Sequence, residues 1–374
     1  MNGSSGMVSL ATLLILFFIS AVVIAAGLFI LTAVSPVLKY AQKVERKSHM
    51  QEILAEIITA MNSDKTPEAD SLFDAWHSEI ETLAGENSCK IAVLPVSDAI
   101  NPNFATQEFL SSDYILSAIK ANGNQMANIK QYRADHFIST DLQKHYEAFF
   151  PEEILSDESL FMYLSPYGYA NINNCDITIA DTLLNKWSDT GCREYLNGLR
   201  QEEKTIASIK DAMQSLGIDD AGIITTASQY NVNYMPPDQL LGVLEYFEGF
   251  KNKDRAIANA KGIHQLIVNA REHGEITPVQ LQQILAVPAQ PHPVFSYLGT
   301  ITWFYKVTVS IDEISMVSIL CKVPAEENPL YGDLNMNSEF FTSVPEEANE
   351  PLEIKAADIG EQSYRVISVR YSYE

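Results

Sequence analysis

The sequence predicts an α+β protein. One long N-terminal helix packs on a small antiparallel sheet, and a large helical region is inserted between the strands of that sheet. Three observations point there. An uncharged run from Met7 to Leu38 passes directly into a stretch of helical periodicity. Residues 101–290 are mostly helical in pattern, whereas the segment from Val294 onward alternates with a period of two. Between the first helix and the helical region, residues 89–96 read as one further strand.

The first element is the most constrained. A run from Met7 to Leu38 without a charged residue is long enough to cross a bilayer core of about 30 Å as one helix. It is too long for the apolar part of a signal peptide, and no Ala-x-Ala site ends it. In lipid every backbone polar group must be satisfied within the segment, which requires a helix. Pro36, after Ser35, predicts a kink near its outer end. Beyond it, Leu38, Ala41, Val44, Met50, Ile53, Leu54, Ile57 and Ile58 recur at helical spacing with Lys43, Glu45, Arg46 and Lys47 between them. The division is therefore a spanning segment over 7–34 and an amphipathic stalk over 35–62. The stretch Asn62-Ser63-Asp64-Lys65-Thr66-Pro67 ends the helix.

The body follows in three parts: 63–100, 101–290 and 291–374. Cys89-Lys90-Ile91-Ala92-Val93-Leu94-Pro95-Val96 reads as a strand with Pro95 near its end. The helical part carries an internal repeat: Asn101-Pro102-Asn103, Asn171-Ile172-Asn173 and Asn231-Val232-Asn233. Apolar helices are expected behind these motifs. The Pro236-Pro237 pair sits where a first helical turn accepts proline. Asn turns the backbone readily, so each motif is expected to cap the helix that follows it. In the last part Phe304, Lys306 and Thr308 alternate with Tyr305, Val307 and Val309. Residues 317–323 and 364–371 also read as strands.

Charge and motifs exclude several functions. Acids outnumber bases 48 to 25, and the net charge of −23 repels phosphate backbones, so no nucleic-acid partner is expected. No Gly-x-Ser-x-Gly elbow, Lys-bearing phosphate loop or His-Glu-x-x-His is present, and the seven histidines are scattered, with His273 and His292 expected in loops. The expectation is that the chain is not an enzyme. Asp333, Asn335, Asn337 and Glu339 alternate in a turn-rich stretch and form a candidate calcium loop, although position 338 is Ser where a central Gly is usual. Of four cysteines, Cys175 and Cys192 could staple a helix of the inserted region, and Cys89 and Cys321 could bridge the sheet; buried thiols are the alternative.

A long N-terminal helix, half apolar and half packed on a head, resembles the pilin architecture. Met1-Asn2-Gly3-Ser4-Ser5-Gly6 before Met7 resembles a prepilin-type leader, residues 1–6, with cleavage between Gly6 and Met7. The fifth residue of the product would be Ala11, where most pilins carry Glu. K-type minor pseudopilins of type II secretion systems lack that Glu, and they too carry Asn-x-Asn elements in a helical domain inserted into a pilin sheet. The resemblance implies a subunit at the tip of a periplasmic pseudopilus, anchored in the inner membrane by one helix. Its partners would be the other minor pseudopilins, the major pseudopilin and the inner-membrane assembly platform. Pseudopilins often use calcium, which makes the loop at 333–339 relevant. A minor pilin or adhesin-like subunit of a type IV pilus, or a membrane-tethered enzyme, is the alternative. Charge alone argues differently: Lys39, Lys43, Arg46 and Lys47 flank the C-terminal side of the apolar run and would place the head in the cytoplasm.

Overall fold

The computed structural model describes residues 4–66, 68–120, 164–165, 167–177, 180, 190–201, 206, 224–251, 253–287, 293–322 and 364–373. They form two compact units, Met1–Ala55 and Glu56–Glu374.

Helix α1 (Ser4–Asn62) makes up the first unit and enters the second. Pro36 lies inside it and does not end it. Over Thr12–Phe29 the mean hydropathy is 2.7 and no side chain is buried, so this one helix is long and apolar enough to cross a membrane. Its chemistry then changes. Met50, Ile53, Leu54, Ile57 and Met61 are buried at helical spacing, as the amphipathic pattern requires. At its end the Ser63 amide donates to the Ala60 carbonyl at 3.0 Å and the Ser63 hydroxyl to the same oxygen at 2.7 Å. The Asp64 carboxylate then accepts from the Thr66 amide and starts the turn.

In the second unit α2 (Trp76–Glu86) and β1 (Lys90–Pro95) come first. Two short helices follow, α3 (Gln107–Leu110) and α4 (Asp113–Ala118). Then come β2 (Ala170–Asn171), α5 (Thr190–Gln201), β3 (Ile224–Thr225) and β4 (Tyr230–Asn231). Helices α6 (Pro237–Lys251), α7 (Lys253–His273) and α8 (Pro278–Leu285) lead through a 3-10 turn, Pro293–Ser296, to β5 (Leu298–Gly299). The chain closes with β6 (Phe304–Ile311), β7 (Ile314–Lys322) and β8 (Tyr364–Tyr373). The molecule is thus α+β.

The main sheet is antiparallel in the order β1-β6-β7-β8. β1 pairs Lys90 with Ser310 and Pro95 with Tyr305, so a strand that precedes the helices lies against one that follows them. β6 and β7 form a hairpin over Asp312 and Glu313, with Asp312 at φ 51°, as a two-residue hairpin turn demands. Tyr305, Val307 and Val309 alternate inward on β6, and the Trp76 ring of α2 meets Tyr305 edge-on at 5.9 Å.

The helical part has its own core. Leu240, Val243 and Leu244 of α6 pack with Ile115 of α4, Ile267 of α7 and Leu281 of α8. Gly242 allows the closest approach: a Cβ there would stand 2.8 Å from the Ala118 Cβ and 2.9 Å from the Tyr114 carbonyl oxygen. His273, expected in a loop, ends α7 in its last helical turn.

The three Asn-x-Asn copies share one geometry. The first Asn of each, Asn101, Asn171 or Asn231, accepts with its side-chain oxygen from the amide two residues on, at 2.9, 2.8 and 2.8 Å. Its carbonyl accepts from the amide four residues on. Beside each copy runs a short parallel pairing: Ile100 with Leu164, Ala170 with Ile224, and Tyr230 with Leu298. The expected capping role is corrected. The motif closes a turn of its own, and the Thr106 hydroxyl, not an Asn, caps α3 by accepting from the Phe109 amide. The helix after the third copy starts at Pro237, at its first position as expected.

Candidate functional site

A buried polar seam joins the segment after α1 to the third repeat and to the open end of the β6–β7 hairpin, where the chain enters β6 and leaves β7. Asp70 is its centre. Its Oδ1 accepts from Lys322 Nζ at 2.7 Å and its Oδ2 from the Thr302 amide at 2.7 Å. The Asp70 amide in turn donates to the Thr300 carbonyl at 2.8 Å, so the loop after α1 is bonded to the approach to β6. Asp98, just past β1, accepts from the Thr302 hydroxyl at 2.7 Å and from the Asn231 amide and the Ser97 hydroxyl at 3.2 Å each. Asn231 Nδ2 donates to the Asp70 carbonyl at 2.8 Å and to Thr302 Oγ1 at 3.0 Å. Asp70, Asp98, Asn231, Thr302 and Lys322 are all buried.

Charges held away from water favour their neutral forms. Burial pushes the Asp98 carboxyl up to about 7. It also pushes Asp70 up to about 6, against the pull of the Lys322 ammonium. Glu275, in the turn between α7 and α8, is raised to about 7 by burial and by the charge of Asp74. Arg271 donates to the Met235 carbonyl at 2.8 Å and fastens α7 to the third repeat.

Asp64 and Asp74 stand beside Asp70, and one carboxylate oxygen from each of the three lies within 4.8 Å of the others. Asp74 is held by the Ser71 amide and by the Trp76 indole N–H, at 3.0 and 3.1 Å. The neighbouring His77 stacks on Trp76 at 3.6 Å, with Nε2 3.1 Å from both the Ser71 carbonyl and the Tyr234 hydroxyl; burial lowers its pKa.

The second Asn of two copies acts as a clamp. Asn173 bonds both the amide and the carbonyl of Ile206, at 2.7 and 3.0 Å. Asn233 does the same to Ile276, at 2.9 and 3.1 Å. Each ties the start of a repeat to a chain segment beyond its helix.

The sequence-derived candidates fall elsewhere. Gly6 and Met7 lie within α1, whose first turn begins at Ser4, ahead of the expected junction. Asp333, Asn335, Asn337 and Glu339 lie outside the described residues. The Cys89–Cys321 pairing is corrected. Cys89, Cys175 and Cys321 are thiols. Cys89 precedes Lys90, which pairs with Ser310, while Cys321 pairs with Phe304. The two therefore sit at opposite ends of the sheet with β6 between them, out of reach of a disulfide. Cys321 Sγ is hydrogen-bonded to the Tyr169 hydroxyl. Cys175 is a buried thiol, and the side chain of Cys192, its expected partner, lies outside the described residues.

The sequence reading missed Asp70, Asp98 and Lys322, and no local pattern marks them. It also passed over the capping box of α8, where Thr277 and Gln280 satisfy each other's amides around Pro278. There the signal was present as Thr-x-x-Gln before an apolar run. Compared with models of protein families, with curated proteins and with solved structures, the chain matches none.

Proposed function

We propose that this chain is a K-type minor pseudopilin, the tip subunit of a type II secretion pseudopilus. One observation carries the reading: β1 is hydrogen-bonded to β6 although α3 to α8 intervene in the chain, and an apolar helix precedes the whole. A small sheet interrupted by a helical insertion behind a membrane-length helix is the arrangement the resemblance requires. The working part is then packing, with no bond broken or made. The apolar helix leaves the membrane sideways and bundles with those of the other minor pseudopilins and the major pseudopilin at the inner-membrane assembly platform. The helical insertion stands where a further subunit would sit and caps the fibre, with the head in the periplasm.

N-terminal sequencing of the protein isolated from cells tests the reading. Removal of residues 1–6 leaves Met7 first, and that is the expected result. A mature chain starting at Met1 overturns it. A second measurement is secretion in a strain deleted for the gene: the full chain is expected to restore it, and a chain lacking residues 7–34 is not. Restoration by the truncated chain would show that no fibre-forming helix is needed.

A further inference from the structure

We propose that Lys39, Lys43, Arg46 and Lys47 of α1 hold the headgroups of anionic phospholipids where the helix leaves the membrane. The contact works with the head on either side of the bilayer, so it goes beyond the pseudopilin reading and rests only on α1 crossing a membrane.

Position is the first argument. The uncharged run from Met7 to Leu38 has 32 residues. At 1.5 Å per residue that is about 48 Å of helix, against a hydrocarbon core of about 30 Å. A tilt of up to about 40° does not absorb the difference, so apolar length leaves the depth of the helix unset. Depth then falls to an anchor at the boundary, and Lys39 is the first charged side chain after the run. Tyr40 follows it, 71% exposed, with an apolar ring and a polar hydroxyl that suit the same boundary.

Arrangement is the second. The helix is continuous from Ser4 to Asn62, so successive residues turn by about 100°. Lys39, Lys43, Arg46 and Lys47 therefore fall within an arc of about 100°, along about 12 Å of the axis. Lys39 and Lys43 are exposed, and Arg46 and Lys47 are partly so. Glu45, the first acid in the sequence, lies roughly 150° from the middle of that arc, and Glu52 and Glu56 fall on the same far side. Val37 and Val44, 65% and 49% exposed, line the adjoining arc. A basic stripe beside an apolar one is the composition of a helix in the membrane interface. The chain as a whole carries −23 and is repelled by an anionic leaflet, which makes this arc the exception. Phosphodiester oxygens accept hydrogen bonds from both lysine and arginine. An acidic protein segment would meet the same charges, but their place at the exit of the apolar run favours lipid.

Spin-labelled lipids report the contact. The full chain, purified in detergent, is reconstituted in phosphatidylcholine vesicles with a trace of spin-labelled phosphatidylglycerol or phosphatidylcholine. Electron spin resonance separates lipid held at the helix from free lipid. We expect phosphatidylglycerol to associate at least twofold more strongly than phosphatidylcholine at about 20 mM salt, and the preference to vanish at about 0.5 M, where the charges are screened. Lys39→Gln/Lys43→Gln/Arg46→Gln/Lys47→Gln keeps the apolar run, so it should float with the vesicles as the wild type does and lose the preference. Lys90→Gln/Lys306→Gln/Arg370→Gln, which neutralises bases of the sheet, should keep it. Glycerol phosphate should displace no more lipid than sodium chloride of the same ionic strength. Equal association of the two lipids overturns the proposal and leaves the arc to an acidic protein partner. So does a preference that salt leaves intact, one that the stalk variant retains, or one lost only in the sheet variant. Stronger displacement by glycerol phosphate overturns it as well, by assigning a site for free anions.

Discussion

Asn233 grips Ile276 with both atoms of its amide, accepting at 2.9 Å and donating at 3.1 Å, as a paired strand would. Asn173 repeats the grip on Ile206. A primary amide is the only short side chain that offers a donor and an acceptor side by side, which explains the residue at this place in two copies. Asn233→Ala removes both bonds, and at about 1 kcal/mol each the head should lose about 2 kcal/mol in urea unfolding. Asn233→Asp keeps the acceptor but sets a carboxylate against the Ile276 carbonyl, so it should cost at least as much at neutral pH. If Asn233→Ala left the urea midpoint in place, the clamp would be an ornament of the fold. Asp98 makes a second prediction at this scale. Its carboxyl keeps a proton up to about 7 when folded, against 3.8 for an unperturbed aspartate. Between those values the folded state binds more protons than the unfolded one, so this contribution is full below about 4 and is lost as pH rises through about 7. Asp98→Asn cannot titrate. It should gain on the wild type between pH 5 and pH 8 by on the order of 2 kcal/mol. Parallel midpoints at the two values would remove Asp98 as a source of pH dependence.

Between elements, Gly242 and Gly262 make a controlled pair. Both lie in helices, where Ala is intrinsically better than Gly by about 1 kcal/mol. A Cβ at Gly262 in α7 meets nothing within 4 Å, so Gly262→Ala should stabilise by about 0.5–1 kcal/mol. At Gly242 in α6 the same methyl would press on the Tyr114 carbonyl at 2.9 Å, and backbone cannot step aside as a flexible side chain can. Overpacking of about 1–3 kcal/mol then outweighs propensity, and Gly242→Ala should destabilise. Opposite signs in one urea series are expected; two gains would mean that α4 yields to α6. Legibility in the sequence follows the same physics. The end of α1 at Asn62, the strand Lys90–Pro95 and the alternation of β6 are readable because a repeated period marks them. The pairings of β2 with β3 and of β4 with β5 involve two residues each, too few to show a period. The seam is invisible for another reason. Asp70 and Lys322 are 252 residues apart, Asp98 and Thr302 are 204 apart, and each is an ordinary surface residue type until the fold buries it. The Asn-x-Asn repeat was readable as a repeat, but its use as turn and clamp depends on partners such as Ile206 and Ile276 that lie beyond the next helices.

For the whole molecule the open physical question is which side of the membrane receives residues 56–374, and two rules give opposite answers. Lys39, Lys43, Arg46 and Lys47 follow the apolar run, and cationic residues are retained on the cytoplasmic side. The pseudopilin reading requires the reverse. The thiols can decide between them. Cys175 and Cys321 are fully buried, while Cys89, just before β1, is partly exposed. In a Cys192→Ser chain, Cys89 is then the thiol that a membrane-impermeant maleimide can reach in the folded protein. Burial raises the Cys89 pKa, and only the thiolate reacts, so labelling belongs at about pH 8.5. On intact spheroplasts, whose outer surface is the periplasmic face, Cys89 should be modified without lysis. Cys89→Ser should abolish the signal and show that neither buried thiol contributes. Modification only after lysis would place the head in the cytosol. The charge rule would then have won, and a fibre assembled outside the inner membrane could not include this chain.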